Sequence, residues 1–361
     1  PFTITERQEY RDRMEAIDKK EKMQNEDGSP VFSTFEIGQL KADLEEWAQT
    51  YRWNVNWQGQ RESDLWPILR IVRGCSNVLW EQEQEAQRNK KELTDEEQAI
   101  IGAHFVNMIS AIGHLCYRSN TGILPVCPYF LEDDIPDEKK ATGGSGKSLI
   151  VKLVVGSAVN VLDVDMKRFV TITDAKFELG KLSSEPYKYR VLHWEDKPKA
   201  FPMKYFYNMV TTGLTVERKS VDPVTFSADE APRIVITCNY PMSDDDDSTV
   251  GRFPLVSFSN RFARANPQKH KAARTPSALM KNFSLVPEKI DDVDRNQAIY
   301  LCALAVQFMM RYRTFAIAPQ GNVRRRQMVQ NLTESIVRYF EWFFSRNEIY
   351  GVPICTDDMF N

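Results

Sequence analysis

At 361 residues the chain is long enough for two or three domains, each with its own core. A net charge of −3 gives no global pull toward nucleic acid, so any such binding must come from local basic patches. Six cysteines without a C-x-x-C pair and four scattered histidines exclude a disulfide framework and a zinc centre by spacing, and no run of about 18 apolar residues argues for a membrane span.

Reduced thiols and a cytoplasmic setting are expected, and the start at Pro1 rather than Met suggests a processed or excised fragment. Residues from about 3 to 118 read as mainly helical. Thr5 to Met14 is charged all round, as expected of a solvated helix. Phe35, Ile37, Leu40, Leu44 and Trp47 recur at three- and four-residue spacing, and Trp66 to Trp80 and Ile100 to Leu115 repeat that pattern. Asp95-Glu-Glu lies in the first turn of the last of these. Such stripes predict core rather than cofactor contacts.

The period then changes. Val126 to Leu131 is a strand candidate, followed by a polar stretch, Glu132 to Lys140, and by Ala141-Thr-Gly-Gly-Ser-Gly-Lys-Ser. The ending of this segment fits a phosphate-binding loop, although Ala141 stands where the pattern wants Gly. Gly143, Gly144, Ser145 and Gly146 would offer backbone N–H groups to phosphate, Lys147 would reach the β/γ oxygens, and Ser148 would hold Mg²⁺. A helix opening at Ser148 adds a dipole that favours the anion. The nine polar residues before the loop are either an insertion or a sign that the strand lies elsewhere.

Two further apolar runs end in polar residues. Arg190-Val-Leu-His-Trp ends in Glu195 and Asp196, and Arg233-Ile-Val-Ile-Thr-Cys ends in Asn239. Short apolar strands separated by helical segments predict an α/β core with a parallel sheet and its ligand at the C-terminal strand ends. In nucleotide hydrolysis one acid orients Mg²⁺ and its neighbour acts on the attacking water, while Asn239 can reach the γ-phosphate. Arg252, or alternatively Arg261, would stabilise transferring charge from an adjacent subunit. Between these runs, Leu214 to Arg218 and Val224 to Phe226 alternate like strands around a turn at Lys219-Ser-Val-Asp-Pro. Arg218 and Lys219 near that tip could contact a nucleic-acid backbone. Asp291 to Tyr312 and Gln327 to Phe344 are again helical. Arg261, Arg264, Lys269, Lys271, Arg274 and Lys281 form a basic stretch, and Arg324-Arg-Arg a second cluster.

The ordered set "ATGGSGKS", "VLHWED", "MVTTGLTVERKSVDP" and "RIVITCNYP" resembles the helicase superfamily 3 ATPase core, and "NVRRRQMVQNLTESIVRYFEWFF" is similar to the closing helices of phage and mobile-element members. The resemblance covers about residues 124–345. It implies a P-loop, AAA+-like α/β core, usually a hexameric ring, that uses ATP and Mg²⁺ to move along single-stranded or forked DNA during replication of a phage, virus or mobile element. It gives Lys147 and Ser148 the phosphate-loop roles. Glu195 and Asp196 become the metal and water acids, Asn239 the sensor and Lys219 the pore contact. The expected organisation is an N-terminal helical domain over 1–120, the ATPase core over 121–270 and a C-terminal helical segment over 271–361. The N-terminal helices would serve as an oligomerisation collar or a DNA-binding module. Two other classes stay open on the residues: an ATP-dependent switch or assembly module that unwinds nothing, and a small-molecule kinase.

Overall fold

Five short strands meet in one parallel sheet in the computed structural model, which describes residues 2–25, 29–117, 125–133, 144–168, 179–180, 182, 185, 187–218, 221–242, 247–264, 276–331, 336 and 338. The chain opens with β1 (Thr3–Glu6), α1 (Gln8–Glu21), α2 (Thr34–Tyr51) and β2 (Trp53–Asn56). Three helices follow, α3 (Pro67–Ser76), α4 (Trp80–Arg88) and α5 (Asp95–Cys116), and then β3 (Tyr129–Glu132). Next come α6 (Lys147–Leu149), which continues as a π turn (Ile150–Val154), and β4 (Val161–Asp165), β5 (Val191–Glu195) and α7 (Lys204–Thr211). The hairpin β6 (Gly213–Arg218) and β7 (Val221–Ser227) precedes β8 (Arg233–Thr237), α8 (Asp247–Arg252) and β9 (Leu255–Phe258). Last are the short α9 (Arg261–Arg264) and α10 (Pro276–Leu279), α11 (Asp292–Tyr312) and α12 (Gly321–Asn331).

The sheet order is β4-β5-β8-β3-β9, with every neighbouring pair parallel. The chain leaves β3 for the far edge, returns strand by strand to β8, and then crosses β3 to place β9 on its other side. Crevices for ligands open at such reversals, outside the C-terminal strand ends. Strand alternation assigns the faces. Val191 packs on the side of α3, α5, α6 and α11, whereas Leu192 and Trp194 face the cluster formed with α7 and the hairpin. His193 and Glu195, two and four residues beyond Val191, therefore lie on the α6 side.

α5 is the central helix. Thr94 and Glu97 form a reciprocal cap at its start, with Asp95, Glu96 and Glu97 complementing the helix dipole. Its apolar residues wrap nearly all round, the pattern of a helix buried on every side. It is long and apolar enough to cross a membrane by composition, yet 83% of that window is buried inside the protein. Core packing accounts for its character. Ile68, Ile71, Phe105, Ile109, Phe130 and Leu301 belong to one contiguous cluster that joins the N-terminal helices, the sheet and α11. Each such side chain contributes roughly 1.5–3 kcal/mol by leaving water.

Several expectations change in detail. Thr5 belongs to β1, paired antiparallel with β2, and the first helix begins only at Gln8. Phe35 is 81% exposed and sits outside the core, while Ile37 and Leu44 of the same stripe are buried. The segment Trp66 to Trp80 is α3 followed by a break, because the Asn77 side chain turns the chain by accepting from Leu79 N and donating to Glu83. The hairpin turn is shorter than expected. β7 already begins at Val221, and Pro223 is tolerated in a two-stranded ribbon because an edge position needs no donor there. Lys219 lies outside the described residues, as do Gly143 and most of Gln327 to Phe344.

Candidate functional site

β3 spans Tyr129–Glu132, so the strand lies close to where the sequence placed it, and positions 134–143 between it and Gly144 lie outside the described residues. Gly144 and Gly146 both have positive φ, +89° and +98°. A side chain at Gly146 would also collide, since its Cβ would lie 2.5 Å from Cys75 Sγ on α3. Glycine is thus required here for conformation and for space. Burial pushes the Cys75 thiol up to about 12, against the pull of Arg261 and Lys147, so it stays a neutral packing group.

Lys147 is 7% exposed, and its ammonium has three acceptors. It donates to Glu132 Oε1 at 3.1 Å, Ser145 Oγ at 3.0 Å and Asn239 Oδ1 at 3.0 Å. Residues from the ends of β3, the loop and β8 therefore converge on one cation. Beside it Ser148 Oγ donates to Glu195 Oε1 at 2.6 Å, and Lys152 Nζ donates to Glu195 Oε2 at 2.8 Å. Burial pushes the Glu195 carboxyl up, but the hydrogen bonds from Lys152 and Ser148 outweigh it and hold the group below the usual carboxylate range. For Lys152, burial pulls down while Glu195 and Asp163 pull harder upward, so the ammonium persists. Behind this pair His193 is fully buried, with Nδ1 2.7 Å from Asp163 Oδ1 and Nε2 3.1 Å from Thr237 Oγ1. Asp163 contacts both His193 and Lys152, so β4 steadies the acid that ends β5.

Asp196 adopts φ +54°, an uncommon conformation for a residue with a side chain, and pairs with Lys167 at 2.6 Å. It lines a cavity of about 400 Å³ together with Ser145, Lys147, Ser148 and Asn239. Phe283 and Leu285 form an apolar wall of the same cavity. The oxygens of Ser148 and Glu195, 2.6 Å apart, are hard donors of the kind Mg²⁺ takes, and the positive-φ loop with its buried lysine suits phosphate oxygens.

Not every expected residue joins this cluster. The Arg252 carbonyl accepts from Cys127 N, which places it before the start of β3, at the opposite end of the sheet from Lys147. Its guanidinium donates to Ser248 on its own helix and lies 5.0 Å from the Tyr207 ring centroid. Arg261 is 7% exposed and pairs with Glu62 at 2.7 Å, so it is no surface cation. In the Arg324 cluster, Arg326 turns inward and donates to the carbonyls of Glu132 at 2.6 Å and Asn239 at 2.8 Å. β6 carries Arg218, and nothing of its side chain is described.

Three residues escaped sequence reasoning, Glu132, Lys152 and Asp163, while Arg326 reads only as part of the Arg324-Arg-Arg basic cluster. Lys152 could have been found, because it stands four positions after Ser148 on a helix and so shares its face. Arg326 stands three after the buried Val323, which places it on the buried face of α12. Glu132 looked like part of a polar connection and had no signal of its own.

No protein-family model matches the sequence, and no curated protein matches it significantly. Among solved structures, the apo A form of the NrS-1 C-terminal region is similar at 13% identity and a TM-score of 0.34, over 78% of this chain and 56% of that one. A second structure of that region, residues 305–718, gives 13% identity and a TM-score of 0.32, over 78% and 57%. JCV helicase bound to a thiazolopyridinyl-phenoxyphenyl acetamide gives 13% and 0.27, over 82% of this chain and 79% of that one. The chain thus spans little more than half the length of the NrS-1 structures, and at these values the likeness is distant.

Proposed function

We propose that the chain is an ATP-dependent DNA translocase or helicase of the superfamily 3 type, acting as a ring of identical subunits on single-stranded or forked DNA. The observation that carries this reading is the convergence of Lys147, Ser148, Glu195 and Asn239 at the C-terminal ends of β3, β5 and β8. A motif read along the sequence would not by itself bring a residue 92 positions away onto the loop lysine.

ATP with Mg²⁺ supplies the phosphoryl group transferred to water and the positive charge that draws its oxygens. Backbone N–H groups of 144–148 and the Lys147 ammonium bind the phosphates, with Lys147 exchanging the Glu132 carboxylate for a phosphate oxygen. Ser148 and Glu195 hold the metal. Lys152 and Asp163 keep Glu195 ionised and in place. Asp196 is the nearby acid that accepts a proton from the attacking water, and Asn239 orients that water or the terminal phosphate. Phe283 and Leu285 give the base an apolar seat. Arg252, remote from the loop of its own subunit, serves the site of a neighbour. Arg218 and Lys219 on the hairpin contact the DNA backbone.

The test is ATP hydrolysis with and without single-stranded DNA. The wild type is expected to be stimulated by DNA, Lys147→Ala to lose turnover by at least about a hundredfold, and Lys219→Ala to lose only the stimulation. Turnover indifferent to DNA would leave a nucleotide switch in place of a translocase. Turnover unchanged by Lys147→Ala would remove the site altogether.

A further inference from the structure

A second polar cavity, of about 540 Å³, lies among the N-terminal helices, and Arg261 is the one residue of its lining that the sequence also offers for nucleotide chemistry. Four arginines line it, Arg61, Arg70, Arg73 and Arg261, against two acids, Glu62 and Glu83. The acids are already committed. Glu62 takes Arg73 on one oxygen at 2.9 Å and Arg261 on the other at 2.7 Å. Glu83 takes Arg73 on one oxygen and Asn77 on the other, the latter at 2.6 Å. Burial pushes the Glu62 carboxyl up, yet Arg261, Arg73 and Arg70 together hold it below the usual range.

What remains is a set of donors. The Arg70 side chain makes no hydrogen bond or ion pair among the described residues, and its Nε is buried. Gln84, 9% exposed, has a buried Nε2 without a partner, and so does Arg261 at Nε. Arg61 stands exposed at the mouth. Arg70 is half-buried, with Glu62 in its field, and the buried N–H groups left without acceptors carry a cost. The buried polar atoms of this lining that have no partner, Arg70 Nε, Gln84 Nε2 and Arg261 Nε, all donate, so a ligand that supplies acceptors completes them. Guanidinium forks fit the oxygens of phosphate in pairs, and the volume exceeds that of a bare ion.

We propose that this cavity, walled by α3, α4 and the start of α9, is a binding site for the phosphate group of a phosphate ester, with Arg70, Arg61 and Gln84 as its donors. The proposal stands apart from the phosphate-loop reading, since it uses different residues. Its position has a consequence for that loop all the same. α3 carries Arg70 and Arg73 toward this cavity and Cys75 against Gly146, so one helix backs onto both sites.

Calorimetric titration of the full chain with pyrophosphate tests it, using wild type, Arg70→Gln, Gln84→Glu and Lys147→Ala. A site is expected that persists in Lys147→Ala and weakens at least about tenfold in Arg70→Gln, the loss of one charged contact. Gln84→Glu supplies an internal acceptor to the spare donors. It should abolish the same site without lowering the melting temperature, which separates lost binding from lost folding. An oligothymidylate titration then identifies the source. If it binds here and Arg70→Gln reduces its salt slope by about one, the phosphate belongs to a nucleic-acid strand. If pyrophosphate binds and the oligonucleotide does not, it belongs to a small phosphorylated molecule. No pyrophosphate site in the wild type beyond the one removed by Lys147→Ala, or a site unchanged by Arg70→Gln and Gln84→Glu, overturns the proposal.

Discussion

Lys147 and Glu132 are 7% and 6% exposed at their side chains and 3.1 Å apart, so neither can relax into water when the other is removed. Breaking a buried pair from one side leaves an uncompensated charge at a cost of about 3 kcal/mol. In Glu132→Gln the free protein should lose stability on that scale, read as a lower urea midpoint. The same change removes a negative charge from the place a phosphate would approach. Nucleotide binding should therefore tighten, by roughly tenfold for about 1.4 kcal/mol of relieved repulsion. A titration with fluorescent nucleotide reads it, and weaker binding would mean that Glu132 helps to hold the ligand. The residues of this site were unevenly legible in the sequence. Lys147, Ser148, Glu195 and Asn239 carry local signatures, a glycine-rich turn or a polar residue closing an apolar run. Glu132 carries none and Arg326 reads only as one of a basic cluster, since their roles arise from contacts 15 and 194 residues away.

Among the elements, α5 and α11 are in close backbone approach at Gly113, where an added Cβ would lie 2.3 Å from the carbonyl oxygen of Ala305 and 2.7 Å from its carbon. Both are backbone atoms, so the clash cannot be relieved by a side-chain turn. Gly113→Ala should lower stability by about 1–3 kcal/mol despite alanine's better helix propensity, measured by thermal or urea unfolding. An unchanged midpoint would mean that the two helices can separate without loss. α5 itself was legible, because its apolar period runs unbroken over many turns. β5 and β8 were legible as short apolar runs bounded by polar residues. β1 was hidden, because four residues, two of them Thr, next to a charged segment leave no pattern to count, and its strand character depends on a partner, β2, some fifty residues away. The interruption between α3 and α4 was hidden for a similar reason, since Asn77 ends the helix through bonds its own side chain makes.

For the molecule as a whole, two histidines on the central helix set an acid limit. Burial holds His104 down to about 4, with a backbone hydrogen bond to Pro319 opposing. Burial and Arg233 hold His114 down to about 3, against a bond to Val126 O at 2.9 Å. Both are depressed in the folded chain relative to the ordinary value near 6.5. The unfolded chain therefore binds more protons below that pH, and stability is fully present above pH 6.5 and lost as the pH falls toward 4. With two protons involved, the slope approaches roughly 2.7 kcal/mol per pH unit. Urea midpoints at pH 7.5, 6.5, 5.5 and 4.5 should show this fall, and a His114→Gln chain should show about half the slope. A flat profile down to pH 5 would mean that these rings are protonated in the fold.

The placement of β3 also dictates the order in which the protein can assemble. Its two neighbours in the sheet, β8 and β9, are encoded more than a hundred residues after it. A nascent chain that has emerged as far as the hairpin already carries the whole loop sequence, yet β3, buried at all four positions in the finished protein, then has both edges open. The cluster around Lys147 likewise cannot form before Asn239, just beyond β8, is available. Such long-range pairing is slow, and in that interval the open edges of β3 are the chain's exposed templates for pairing with another strand.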